Sequence, residues 1–175
     1  MRQDMAPGSQ LSREKRFEQL AQRYQETLLR TCFLYLCDKT LAEDAVQETF
    51  VKVYRALDSF RGDSSEKTWI MKIAMRVCYD MNHSNWYRLM NRRITPDMLP
   101  DAAPGTANEE DEELTLAVMR LPRKLREAIL LYYYQGLKVD EIAEILHIAH
   151  SSVSGRLKRA RMKLKELLEG REIDE

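Results

Sequence analysis

LAEDAVQETFVKVYRALDSFRGDSSEKTW, the stretch from Leu41 to Trp69, decides how the rest of the chain is read. In its first half, Ala42–Leu57, the residues Val46, Phe50, Val53 and Leu57 recur at spacings of four, three and four, one apolar stripe along a helix. The other face opens with Glu43, Asp44, Gln47 and Glu48. Carboxylates in the opening turns complement the helix dipole, so part of that placement is ordinary. The helix gives way to Asp58–Ser65, a polar loop holding Gly62, and a second amphipathic helix begins near Trp69.

Working outward, Met1–Gln10 contains Pro7 and Gly8 and is expected to be a frayed tail. From Leu11 the pattern turns helical, with Phe17, Leu20, Tyr24 and Leu28 on one face. Asp38–Thr40 makes a short turn into the acidic helix, which predicts an antiparallel helical hairpin. On the far side, Lys67–Trp86 carries Trp69, Ile70, Ile73, Ala74, Val77, Cys78 and Met81, a stripe that closes a bundle around one core. Trp69 belongs to that stripe by position, whereas Trp86 and Tyr87 lie past its end. The polar side shows Lys72 and Arg76, followed by Arg88, Arg92 and Arg93 among Asn82 and Asn85. Cations interleaved with aromatic rings suit single-stranded DNA: the cations track phosphates and the rings receive unstacked bases.

Ile94–Glu113 has the composition of a linker, with Pro96, Pro100, Pro104 and Gly105 followed by EEDEE. A second helical module starts at Leu114. Leu114, Ala117, Val118 and Leu121 begin one helix, Pro122 interrupts it, and Leu125, Ile129 and Tyr132 or Tyr133 carry an apolar face to a stop at Gly136. Then Ile142, Ala143 and Leu146 line a short helix, Ile148–Ser151 turns, and Val153, Leu157, Ala160, Leu164 and Leu167 face inward on a final helix. Its outer face presents Ser154, Arg156, Lys158, Arg159, Arg161 and Lys163. A short helix, a tight turn and a basic second helix form a helix-turn-helix of the kind that enters a DNA major groove.

Composition narrows the function further. The longest apolar run, Ala128–Tyr134, is far short of the ~18 residues of a membrane span. No signal peptide opens the chain. Cys32, Cys37 and Cys78 form no CxxC pair and fit reduced core thiols in a cytoplasm. There is no phosphate-cradling glycine loop, HExxH or GxSxG, so an enzyme, a cofactor and a metal are not expected. His147 and His150 have no further ligand nearby and belong to the turn. The zero formal charge conceals segregation: residues 1–93 carry +4, residues 94–113 carry −7 and residues 114–170 carry +5. Two basic blocks flanking an acidic connector suggest two modules facing a polyanion.

EDAVQETF followed by DSFRGDSSEKTW resembles the core-binding and promoter-melting region of bacterial sigma factors of the extracytoplasmic-function group, group IV. LPRKLREAILLYYYQGLKVDEIAEILHIAHSSVSGRLKRARMKLKELL resembles the minus-thirty-five-binding domain of the same group. The resemblance covers roughly Phe17–Arg93 and Leu114–Leu168. It implies an all-α protein of two small helical domains, joined by a flexible, acidic, Pro-containing linker and ending in a helix-turn-helix. The divisions are a tail at 1–10, a region-two-like domain at 11–93, a linker at 94–113 and a region-four-like domain at 114–170. The linker of the family threads through the polymerase.

The resemblance also implies partners and site residues. Glu43, Asp44, Gln47 and Glu48 would bind core RNA polymerase. Phe60, Arg61, Ser64, Lys67, Lys72, Arg76, Trp86 and Arg88 would meet the melted minus-ten DNA, with a flipped base held between the Phe60–Lys67 loop and the face bearing Arg76. CYDMNHSNWYRL is less basic than the corresponding run in the family. Ser151, Ser152, Ser154, Gly155, Arg156, Lys158 and Arg159 would meet the duplex minus-thirty-five element. There Arg159 is expected at a base or the backbone, Arg156 nearer the phosphates, and Gly155 at a close approach of backbone to DNA. The function implied is promoter-specific transcription initiation in the cytoplasm, in a stress or envelope response, under an anti-sigma factor. Two alternatives are a stand-alone helix-turn-helix regulator and a sigma-like decoy that titrates an anti-sigma factor. The acidic face argues against the first and the basic recognition helix against the second.

Overall fold

A computed structural model describes residues 7–85, 93–99 and 109–170, which contain seven α-helices and no strand. The N-terminal module comprises α1 (Pro7–Leu36), α2 (Lys39–Ala56) and α3 (Glu66–Ser84), with a 3₁₀ turn at Leu57–Ser59. The C-terminal module comprises α4 (Glu109–Arg120), α5 (Arg123–Ile129) with a π turn at Leu130–Tyr134, α6 (Val139–Leu146) and α7 (His150–Glu169).

Helix α1 begins at Pro7, so residues 7–10, expected in a tail, are helical. Proline is well suited to a first helical position, where its missing N–H is no loss. At the other end Cys37 adopts φ 53, and Asp38 caps α2 by accepting from the Leu41 N–H at 2.9 Å. A left-handed turn at a residue with a Cβ costs about 1–2 kcal/mol. Here the Arg126 guanidinium donates to Cys37 Sγ at 2.7 Å, so α5 braces the turn from the other module.

The α1–α2 hairpin and α3 enclose Leu28, Cys32, Tyr35, Val53, Ile70, Met71, Ala74 and Cys78. All three cysteines are buried. The core continues without a break through Val118, Leu130, Leu131, Ile142, Val153 and Leu157 of the second module. Each such aliphatic side chain, fully buried, contributes about 1.5–3 kcal/mol.

Two departures bear on the site. The Glu109–Glu113 run, expected in the linker, forms the start of α4. Acidic side chains at a helix N-terminus are favoured by the exposed N–H groups there, an effect that composition alone does not distinguish from a solvated tether. The stop at Gly136 (φ 65) is present, but a wider turn precedes it: Gln135 N–H bonds Leu130 C=O and Leu137 N–H bonds Leu131 C=O. This turn directs Gln135 inward, where its Nε2 donates to Thr31 Oγ1 of α1 at 2.6 Å.

Candidate polymerase and nucleic-acid interface

On α2 the apolar residues Leu41, Ala42, Ala45, Val46, Thr49 and Val53 face inward. That leaves Glu43, Asp44 and Gln47 exposed and Glu48 half-buried on the outer side. Glu48 pairs with Lys52 one turn on, at 3.4 Å. The four acidic and amide positions singled out in the sequence therefore share one open face. Val51, also exposed, gives the helix surface an apolar spot.

Ser65 starts α3 by accepting from the Thr68 N–H at 3.1 Å. Gly62, at φ 76, makes the reversal that brings the loop back to the helix, a conformation other residues adopt only at a cost. Arg61, Gly62 and Asp63 are exposed and Ser64 is half-buried. Phe60 and Trp69 stack with centroids 4.7 Å apart and planes at 30°. Trp69 is thus neither fully core nor free, but one half of an aromatic pair that anchors the loop.

The cationic edge of α3 is less open than its sequence suggests. The Lys67 ammonium donates to the Gln135 carbonyl, Thr68 Oγ1 donates to Glu141 Oε1 at 2.9 Å, and Lys72 lies 3.3 Å from Glu144 Oε1. All three acceptors belong to the C-terminal module. Arg76 pairs within α3, 3.3 Å from Asp80, and lies near the Tyr79 ring. Trp86 and Arg88 lie outside the described residues.

In the helix-turn-helix, His147 closes α6 in the left-handed conformation (φ 53), and Ala149 precedes α7. Val153, Leu157 and Ala160 are buried, while Ser151, Ser152, Ser154, Lys158 and Arg159 are exposed. Arg156 departs from that group. Its guanidinium meets Glu127 of α5 at 2.6 Å, with side chains only 14% and 11% exposed. Burial pushes the Glu127 carboxyl above its ordinary range, and Arg156 and Arg123 oppose that shift. A Cβ at Gly155 would stand 3.4 Å from Arg159 Nη1, an ordinary contact with the end of a flexible side chain, so packing within the fold does not require glycine there.

Between the modules runs a groove of about 890 Å³, lined among others by Trp69, Lys72, Arg76, Tyr79, Arg123 and Lys124. The last two come from α5 and were not among the sequence-derived residues. Arg123 lies over the Tyr79 ring at 4.9 Å, a contact between modules that no local pattern announces. Residues 20–87 match the family profile of Sigma-70 region 2, and residues 111–164 that of Sigma-70 region 4. The ECF RNA polymerase sigma-E factor of Escherichia coli is 35% identical over 167 residues, spanning 85% of this chain and 84% of that protein.

The chain belongs to the ECF sigma factor family.

The RNA polymerase sigma-H factor of Pseudomonas aeruginosa is 29% identical over 180 residues, covering 95% of this ECF sigma factor and 93% of that one. Among solved structures, the sigma factor RpoE of Bartonella quintana, crystallised with the anti-sigma factor NepR, superposes with a TM-score of 0.75 at 25% identity. The match spans 89% of this chain and 98% of that one. As a sigma factor the protein binds core RNA polymerase and promoter DNA. No helix among the described residues is long and apolar enough to cross a membrane.

Proposed function

We propose that this ECF sigma factor divides its work between its modules. The module at 11–93 docks on the polymerase through Glu43, Asp44, Gln47 and Glu48 and reads melted minus-ten DNA. Phe60, Arg61, Ser64, Lys67, Lys72, Arg76, Trp86 and Arg88 form that DNA surface. The module at 114–170 places α7 in the major groove of the minus-thirty-five element, with residues 94–113 as the connector. The protein carries out no chemistry of its own and acts in the cytoplasm. An anti-sigma factor is its natural antagonist, as NepR is named beside the Bartonella protein.

One observation carries this reading. A solvent-facing acidic helix and a basic helix-turn-helix stand on one chain, and a DNA-binding regulator alone has no use for the first. Within α7 the exposed Ser151, Ser152, Ser154, Lys158 and Arg159 form the DNA face. The helix N-terminus, with its free N–H groups, suits a phosphate. Arg159 is the residue best fitted to the paired acceptors of guanine. Arg156 instead ties the recognition helix to α5 through Glu127.

Charge reversal on α2 tests the division. Asp44→Lys with Glu48→Lys should abolish co-purification with core polymerase, because opposed charges at such a surface steer association and exclude wrong pairings. Both side chains are solvent-facing, so the helical circular-dichroism signal should stay as in the parent. Retained binding by the double variant removes the docking assignment.

A further inference from the structure

The groove of about 890 Å³ carries a charge imbalance that its ion pairs do not remove. Lys52, Lys72, Arg76, Arg123, Lys124 and Arg156 line it, against the single carboxylate of Glu127. Four of these cations have an acid of their own. Lys52 lies 3.4 Å from Glu48, Lys72 3.3 Å from Glu144, Arg76 3.3 Å from Asp80 and Arg156 2.6 Å from Glu127. Arg123 and Lys124 form no ion pair among the described residues, and they act on Glu127 only from beyond Arg156. Adjacent in the chain and open to the groove, these two make a positive pole. A cleft lined by one sign of charge concentrates the opposite sign.

Aromatic rings share the wall. Trp69 and Tyr79 line the groove from α3, about 15 Å apart along the axis at 1.5 Å per residue. Phe60 stacks on the Trp69 ring, which holds the indole at one end. At the other end the Tyr79 ring gathers guanidinium groups from both modules, Arg76 at 5.7 Å and Arg123 at 4.9 Å. Cations at one end and an anchored indole at the other suit a ligand with an anionic tail and a flat head.

We propose that this groove binds a nucleoside polyphosphate, with its phosphates on Arg123 and Lys124 beside Tyr79 and its base against Trp69. Guanidinium and ammonium groups are strong partners for phosphate oxygens. A base gains from an aromatic surface whatever its identity, because every base has a π-face. The distance between the two ends is comparable with the length of an extended nucleoside triphosphate. The volume is that of a small-molecule site, roughly 300–1,000 Å³. The phosphate pole lies on α5, so the site stands whether or not Lys72 and Arg76 meet promoter DNA.

The test is a calorimetric titration of the full chain, without DNA or polymerase, in magnesium-free buffer. Guanosine triphosphate, tripolyphosphate and guanosine serve as separate titrants. The nucleotide should bind at one site per chain, more tightly than either fragment, and should raise the unfolding temperature. Arg123→Gln/Lys124→Gln should weaken nucleotide binding about tenfold, the effect of losing hydrogen bonds to charged groups. Trp69→Leu should weaken nucleotide binding about fivefold and leave tripolyphosphate binding at the parent level. The charge-matched control Lys15→Gln/Lys39→Gln, at two exposed positions outside the groove, should match the parent with every titrant. Helical circular dichroism, expected to be the same in all variants, separates lost contacts from lost folding.

No saturable binding of guanosine triphosphate to the parent overturns the proposal. An equal loss in the control overturns it too, since binding would then follow net charge and not the groove. Tripolyphosphate bound as tightly as the nucleotide also overturns it, because the rings would contribute nothing.

Discussion

Helix α2 and helix α3 are neighbours in one bundle, similar in length and in amphipathic pattern, yet their polar faces are used differently. On α2, Glu43, Asp44 and Gln47 stand in solvent without a hydrogen-bond or ion-pair partner among the described residues. On α3, Lys67, Thr68 and Lys72 all reach across to the C-terminal module. A surface for a protein partner can stay presented at all times. The cationic edge proposed for DNA instead meets carboxylates of the same chain, Glu144 beside Lys72 and Glu141 beside Thr68. The recognition helix repeats the contrast on a smaller scale, with Arg159 outward and Arg156 turned inward onto Glu127.

The largest effect that sharpens this contrast is expected at Arg156. Removing one partner of a buried ion pair leaves the other charge uncompensated, so Arg156→Ala should cost about 3 kcal/mol of stability at neutral pH. The loss should depend on pH. Burial already raises the Glu127 pKa above its ordinary 4.5, and losing Arg156 raises it further. A carboxyl with a raised folded pKa adds stability below its unfolded value and loses that stability as pH rises through the folded value. The deficit should therefore be largest near pH 7.5 and shrink toward pH 5 in urea unfolding. An equal deficit at both pH values would mean that Glu127 is not the group responsible.

Arg159 should behave as the outward member of the pair. Arg159→Ala is expected to leave stability near the parent value and to cost about 1–3 kcal/mol in binding the upstream element, with relaxed preference at one or two positions. Selection from randomised upstream elements reads this directly. The same consensus and affinity in the variant would mean that α7 presents a different side chain to the bases.

How much of this could be read in the chain follows from the range of each interaction. The apolar stripes at Val46–Leu57, Ile70–Met81 and Val153–Leu167 are local and periodic, and α2, α3 and α7 follow from them. The start of α1 at Pro7 and of α4 at Glu109 were obscured because proline, glycine and acidic runs mark both loops and helix beginnings. Nothing periodic marks the π turn, which shifts the register by one residue and carries Gln135 from a loop to a buried bond with a residue 104 positions away. Glu127, Glu141 and Glu144 carry no local signal, since their partners Arg156, Thr68 and Lys72 lie 29, 73 and 72 residues distant and only tertiary packing joins them.

The smallest predicted effect concerns Arg76, the cation on α3 whose ion pair, with Asp80, lies within its own helix. Arg76→Ala should slow promoter opening with little change in initial duplex binding, seen as reduced permanganate reactivity of promoter thymines. Weakened duplex binding with unchanged opening would make Arg76 a plain phosphate contact.

The central claim is that the chain lends promoter choice to core RNA polymerase, and run-off transcription on genomic DNA with purified core enzyme tests it most directly. Adding the parent protein should produce discrete transcripts absent with core alone, and the Asp44→Lys/Glu48→Lys variant should produce none. Identical transcription with and without the protein would contradict the account.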